Sequence, residues 1–288
     1  MKKFIISISL SLLLFTYFSC DKVSAPYMKT NGADTTSCPA YIFTPRTTHH
    51  KVVLIEDYTG HQCPNCPAAA TLLKNFQLLY GDSIIVISVH AGDFAEITPP
   101  PFNDLDLRTT TGNQLNDHYA PIGNPAASFN RKLLGGSRTS ISTPEWQTKL
   151  NQTLHVQPEL DMQVKVSNYD AAKRKACIDV QTQYLQNTSK KLMLSLYILE
   201  DSLIGNQKDG PSVTVPNYLF MHVLRGSVNG TWGDLLSNTS ISQNTLKNNK
   251  YATILDQKWN AKNCKIVAFV YDSITEEVIQ AAETKVID

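Results

Sequence analysis

The chain has 288 residues, 42% of them apolar and 18% charged. That composition excludes a disordered chain and supplies about two packed domains at ~150 residues each. Lys and Arg total 26 against 25 Asp and Glu, a net charge of +1, so no global electrostatic footprint for nucleic acid exists.

Met1-Lys2-Lys3 opens with positive charge, and Phe4 to Phe18 follows as an almost wholly apolar or small run. The run is short for a membrane span and reads as an export signal. It stops at Ser19-Cys20-Asp21-Lys22. A small residue followed by Cys directly after such a run resembles a bacterial lipoprotein signal, in which the Cys is acylated and becomes the first residue of the mature chain. Tyr17 and Phe18 depart from the usual lipobox, and cleavage near Ser19 with Cys20 unmodified is the alternative. The expectation is a signal over 1–19, a membrane anchor through lipid on Cys20, and a tether over 20–46 marked by Pro26, Asn31-Gly32, Pro39 and Pro45. Export also lets disulfides persist. Beyond Cys20 the cysteines are Cys38, Cys63, Cys66, Cys177 and Cys264, an odd set that leaves at least one thiol free or paired between molecules.

Lys51 to Tyr58 (KVVLIEDY) is a near-continuous apolar run, the pattern of a strand buried on both faces. Thr59 to Gln62 is a turn, and Cys63-Pro64-Asn65-Cys66-Pro67 follows. Ala69, Leu72, Leu73, Phe76 and Tyr80 then recur at helical spacing, with Pro67 in the first turn and Gly81 as the stop. Ser83 to His90 is a second buried strand. Strand, helix and strand so close together imply a right-handed unit with parallel neighbours. The cysteines then sit where the first strand hands over to the helix, whose free N–H groups and dipole favour a thiolate. A thiolate attacks disulfides, and a second cysteine one turn on resolves the product. Residues 92–118 carry Pro99-Pro100-Pro101 and read as a loop with a helix near Leu107–His118. A strand over Ala126–Lys132 and a helix lined by Trp146, Leu150 and Leu154, opened by Thr143-Pro144-Glu145, complete this half.

Residues 51–156 resemble a thioredoxin-fold domain. The resemblance implies that Asp57, six residues before Cys63, is a buried acid relaying protons for Cys66. It also implies that Asn124-Pro125 is the cis-proline segment that orients a bound partner strand. Gln62 stands where thioredoxins usually carry Trp, and the Pro-Asn dipeptide inside the motif matches neither the reducing nor the oxidising members. His61 and His90 are candidate neighbours of the site, His61 as a cation raising the thiolate population at Cys63. The motif lacks a second nearby Cys pair, so no metal and no cofactor is expected.

Beyond Pro158, Leu160, Met162, Val164 and Val166 alternate with polar residues, as do Ile178 to Tyr184 and Leu192 to Ile198. Further strands are expected at 217–225, 250–257, 264–271 and 276–285, with turns at Asn187-Thr188 and Asn229-Gly230. The pattern suggests an immunoglobulin-like β-sandwich. His222 and Arg225 read as strand and edge residues. A Cys177–Cys264 disulfide would close a long loop and leave Cys38 as the odd thiol. Alternation with Asp179, Gln181 and Gln183 turns Cys177 outward instead.

The fold class expected is therefore α/β plus all-β: a thioredoxin-like domain over 47–157 followed by an immunoglobulin-like sandwich over 158–288. The signal together with GHQCPNCPAAA, SVHAGDFA, GNPAASFNR and the β-rich second half resembles lipoproteins related to the twenty-eight-kilodalton outer-membrane protein of anaerobic gram-negative bacteria. That resemblance implies an outer membrane lipoprotein facing the periplasm or the surface. Two functions follow as expectations. One is thiol–disulfide exchange with partner protein thiols through Cys63 as nucleophile, Cys66 as resolving cysteine and Asp57. The other is a surface binding or adhesion lipoprotein in which Cys63–Cys66 is a static disulfide.

Overall fold

A computed structural model describes residues 33–287; the expected signal and Cys20 lie outside them. The described strands open with β1 (Val53–Thr59), all of whose residues are buried. β2 (Ile84–His90) pairs with it in parallel on one side, and β3 (Ala126–Phe129) pairs antiparallel on the other. Being central in a covered sheet explains the unbroken apolar run. α1 (Cys66–Tyr80) crosses between β1 and β2, α2 (Thr110–Tyr119) follows β2, and α3 (Trp146–Leu154) follows β3. The side chain of Thr109 caps α2 by accepting from the Gly112 N–H. β3 stops earlier than its sequence suggests because Asn130 and Arg131 both take φ 52°.

The second half supplies β4 (Leu160–Asp170), β5 (Lys175–Tyr184), β6 (Leu192–Glu200), β7 (Leu203–Asp209) and β8 (Val213–Phe220). β9 (Val223–Ser227), β10 (Asp234–Ser237), β11 (Leu246–Ile254), β12 (Cys264–Asp272) and β13 (Val278–Lys285) complete it. The strand expected at 217–225 is in fact two, broken at Met221-His222, where His222 takes φ 57°. β7 was not anticipated.

One eight-stranded sheet runs in the order β13-β12-β6-β9-β2-β1-β3, with β10 also on β6. The boundary expected at 157/158 does not interrupt it, and the described residues fall within one compact unit. The join is the pair Ser88–Val223, where the Ser88 N–H also donates to the His222 carbonyl at 2.8 Å. Alternation along the strands builds the cores. Leu54, Tyr58, Ile85, Ile87, Val89, Tyr197, Leu199, Leu224, Val267 and Phe269 form one cluster, with contributions from both halves and from Leu115 of α2. Val53, Ile55, Val86 and Phe129 pack against Leu73 and Phe76 of α1 and Trp146 and Leu150 of α3. Leu194, Leu196, Ile198 and Ile266 pack against Met162, Ile178 and Val180 of the three-stranded sheet β11-β5-β4. Two sheets do face each other in the second half, but one of them continues into the first half rather than closing a separate module.

Residues 33–46, expected as part of a tether, lie against this second sheet. Cys38 is disulfide-bonded to Cys177, the Ala33 N–H donates to the Ala252 carbonyl at 2.8 Å, and Arg46 pairs with Asp161 at 3.4 Å. This covering segment is why Cys177 is buried despite its polar neighbours. The expected Cys177–Cys264 bridge is therefore corrected: Cys264 is the free thiol, buried, and burial pushes it up to about 12.

Glu56 and Arg131 are locked together on the shared face. Arg131 Nε donates to both Glu56 carboxylate oxygens at 3.1 Å, and both residues are buried. The guanidinium lies 5.0 Å from the Phe269 ring centre and 5.5 Å from that of Tyr271. A chain turn after β3 is thus fastened to a carboxylate of β1 and to aromatic rings of β12. Replacing Arg131 by Met leaves Glu56 buried without its partner and is expected to cost about 3–5 kcal/mol in urea unfolding. The double variant Glu56→Leu/Arg131→Met is expected to recover most of that loss. A single variant as stable as the wild type would contradict this reading.

Candidate functional site

The CxxC motif occupies the turn between β1 and α1. Gly60 sets the start of the turn: a Cβ there would sit 2.3 Å from the Phe94 carbonyl oxygen, so only glycine admits this close backbone approach. The Gln62 N–H donates to the same oxygen at 2.9 Å, and the Cys63 N–H to the Gly60 carbonyl at 3.0 Å. Cys63 and Cys66 are joined as a disulfide, their Cα atoms 5.4 Å apart. α1 begins at Cys66, with Asn65 before it and Pro67 in its first turn.

A hairpin from the second half closes over this turn. Gln207 Nε2 donates to the Cys63 carbonyl at 3.0 Å, the Lys208 N–H to His61 and the Gly210 N–H to Pro64, both at 2.8 Å. Cys63 is in consequence 0% exposed. Cys63, expected from the sequence as the attacking nucleophile, is therefore covered by β7. Cys66, 3% exposed, instead lines a cleft of about 620 Å³ between α1, β2 and the β7–β8 hairpin. Its walls include Leu73, Leu78, Val86, Tyr218 and Phe220, and Asp57, His90, Gln77 and His222 also line it.

The structure brings some expected residues together and leaves others apart. Asp57, like Val53 and Ile55, projects from the face of β1 that meets α1, whereas neighbouring Glu56 faces Arg131. Cys66, Asp57 and His90 share the cleft. His61 is buried under the roof, its ring 5.6 Å from Phe102, and is not among the cleft-lining residues. The Asn124–Pro125 peptide bond is cis. It directly precedes Ala126, the partner of Tyr58, and so lies toward the motif end of β1, but on the β3 side. The cleft lies on the β2 side, and neither Asn124 nor Pro125 lines it. Among the described residues no group of three or more His, Cys, Asp or Glu is placed to hold a metal.

Sequence reasoning missed the hairpin. Its strands are separated by the turn at Gly210-Pro211, and nothing local ties Gln207 to a motif 144 residues earlier. It also read His222 as a plain strand residue. The positive φ there turns the ring into the cleft, with Nδ1 3.2 Å from Asp201 and Nε2 3.1 Å from Gln77.

The family described as Outer membrane protein Omp28 matches residues 112–288, a span that begins after the CxxC. HBP35 of Porphyromonas gingivalis has a similar fold, with a TM-score of 0.64 at 20% identity over 83% of this chain and 76% of that one. A protein of Agrobacterium tumefaciens aligns at a TM-score of 0.51 and 11% identity, over 82% and 95%. A domain of the outer membrane lipoprotein Omp28 from Porphyromonas gingivalis is 27% identical over 45% of this chain and 89% of that one, at a TM-score of 0.33. No curated protein matches. No helix among the described residues is long and apolar enough to cross a membrane.

Protonation at the site follows from burial. Burial holds His61 below its ordinary value and pushes His90 down to about 3, with the nearby His61 adding to the shift at His90. The expected cationic role of His61 is therefore disfavoured. Asp57 moves the other way: burial lifts its carboxyl from 3.8 to about 7, and Oδ1 has no hydrogen-bond partner. The folded chain thus keeps a proton that the unfolded chain releases above about pH 4, so this residue costs stability as the pH rises toward about 7. Asp57→Asn stays neutral throughout. Urea titrations are expected to find the variant close to wild type near pH 4 and more stable near pH 8, the difference opening between those values. A difference independent of pH would show that Asp57 is not held protonated.

Proposed function

Because this chain belongs to the Omp28 outer membrane protein family, its setting is the outer membrane, and we propose that it acts there as a lipid-anchored thiol–disulfide exchange protein on the cysteines of partner proteins. Cys20 is the proposed lipid attachment site. The first half is read as a thioredoxin-like unit: β1 and β2 are parallel across α1, and β3 follows a cis-proline and runs antiparallel to β1. The facing sheets of the second half support an immunoglobulin-like sandwich that shares its larger sheet with this unit.

The observation that carries the reading is a single cleft lined by both the disulfide sulfur-bearing Cys66 and the unpaired, buried carboxyl of Asp57. Exchange needs a sulfur that can be reached and a group that moves a proton beside it. With its carboxyl near 7, Asp57 is poised to give a proton to the Cys66 thiolate when the disulfide opens and to take it back when the disulfide reforms. The amino end of α1 favours negative charge on the cysteine pair. Asn124 and Pro125, at the same end of β1 on its β3 side, offer a second face on which an extended partner segment could lie.

One observation favours the other reading, a surface binding lipoprotein with an inert disulfide: Cys63 lies wholly beneath β7. The two are separated by treating the folded protein with a mild dithiol, labelling with maleimide and mapping the labelled peptides. Exchange predicts that Cys66 labels while the near-ultraviolet circular dichroism stays native. A pair that labels only after urea unfolds the chain would establish the inert disulfide.

A further inference from the structure

The two sulfurs of the pair are not equivalent. Cys63 is roofed by the Gln207 side chain and by the Lys208 and Gly210 N–H groups, while Cys66 lines a cleft whose volume of about 620 Å³ falls in the range that holds small ligands, about 300–1,000 Å³. Large apolar side chains wall that cleft on the α1, β2 and hairpin sides. A small molecule fits a space of this size with the hairpin in place.

We propose that the disulfide is opened at Cys66, from the cleft, by a small thiol, with Cys63 as the leaving sulfur. This assignment rests on the exchange reading and specifies its electron donor by chemical class. It reverses the order expected from the sequence, in which Cys63 meets the partner first.

The step balances as follows. A small thiol loses its proton to water, and its thiolate attacks Sγ of Cys66. The Cys63–Cys66 bond breaks, a bond between Cys66 and the small thiol forms, and Cys63 leaves with the electron pair. A second small thiolate attacks the sulfur of the bound thiol and releases Cys66, which takes a proton from Asp57; Asp57 and Cys63 are reprotonated from water. Two small thiols become one small disulfide, and the protein pair gains two electrons. The amino end of α1 favours negative charge on either sulfur of the pair, so access decides the direction: the bond is attacked at Cys66, which lines the cleft, and Cys63 leaves beneath the hairpin.

The test uses the full mature chain in detergent with Cys63→Ser and Cys66→Ser, each of which leaves one thiol of the pair. The probe is a small aromatic disulfide whose released thiolate absorbs visible light, and the double variant Cys63→Ser/Cys66→Ser supplies the background from Cys264. Cys66 is expected to react about ten-fold or more faster than Cys63 in the folded protein, because access governs the rate of exchange. In the otherwise native chain, Ala70→Trp fills the cleft and is expected to slow opening of the pair by 2-mercaptoethanol by a similar factor, with the near-ultraviolet spectrum unchanged. Faster reaction at Cys63, or no effect of Ala70→Trp, overturns attack at Cys66 while leaving exchange intact. If neither thiol reacts and the pair does not open until urea unfolds the chain, the exchange reading falls and this assignment with it.

Discussion

Gln207 Nε2 donates to the carbonyl of Cys63, and the N–H groups of Lys208 and Gly210 donate to the carbonyls of His61 and Pro64 respectively, in the same turn. These bonds join residues more than a hundred positions apart in sequence and decide what the cysteine pair can meet. They satisfy carbonyls of a turn that has no ladder of its own, and unmade they would leave buried acceptors at a cost of about 1–3 kcal/mol each. The roof they hold takes Cys63 out of reach and leaves Cys66 on the wall of a cleft.

The hairpin stays in register because the two halves are one sheet. β9, which follows the hairpin, pairs with β6 on one side and meets β2 on the other through Ser88 and Val223. The Arg131–Glu56 pair and the rings of Tyr197, Phe269 and Tyr271 fasten the turn after β3 to the same sheet face. Burying such a pair gains little stability by itself, but a broken one is expensive, so it penalises any arrangement that separates β1 from β12. Site geometry and domain union thus have a common cause in the continuous sheet.

What the sequence discloses follows what is local. β1, α1 and β2 are legible because Val53, Leu54 and Ile55 form a run and Ala69, Leu73 and Phe76 share a helix face. The cis bond at Pro125 and the burial of Asp57 agree with the thioredoxin resemblance. Which of Glu56 and Asp57 faces the motif is hidden in a strand buried on both sides; the answer lies with Arg131, 75 residues from Glu56. Cys177 reads as outward because its strand alternates, yet the segment bearing Cys38 covers that side. Gln207 and His222 carry no local signal of a site at all, since their positions depend on a hairpin folding back across the first half.

An outer membrane setting places this pair where disulfides persist. A closed pair, a buried acid whose carboxyl is raised to about 7 and a cleft sized for small molecules are the observations on which the exchange proposal rests. The central claim, that the pair exchanges in the native state, is tested most directly by its reduction potential in glutathione buffers of graded ratio, with folding monitored in the same samples. The account predicts a two-electron transition in folded protein at a potential above about −300 mV, on the labile side of the range for structural disulfides. A transition below that value, or one that coincides with loss of native structure, would contradict it.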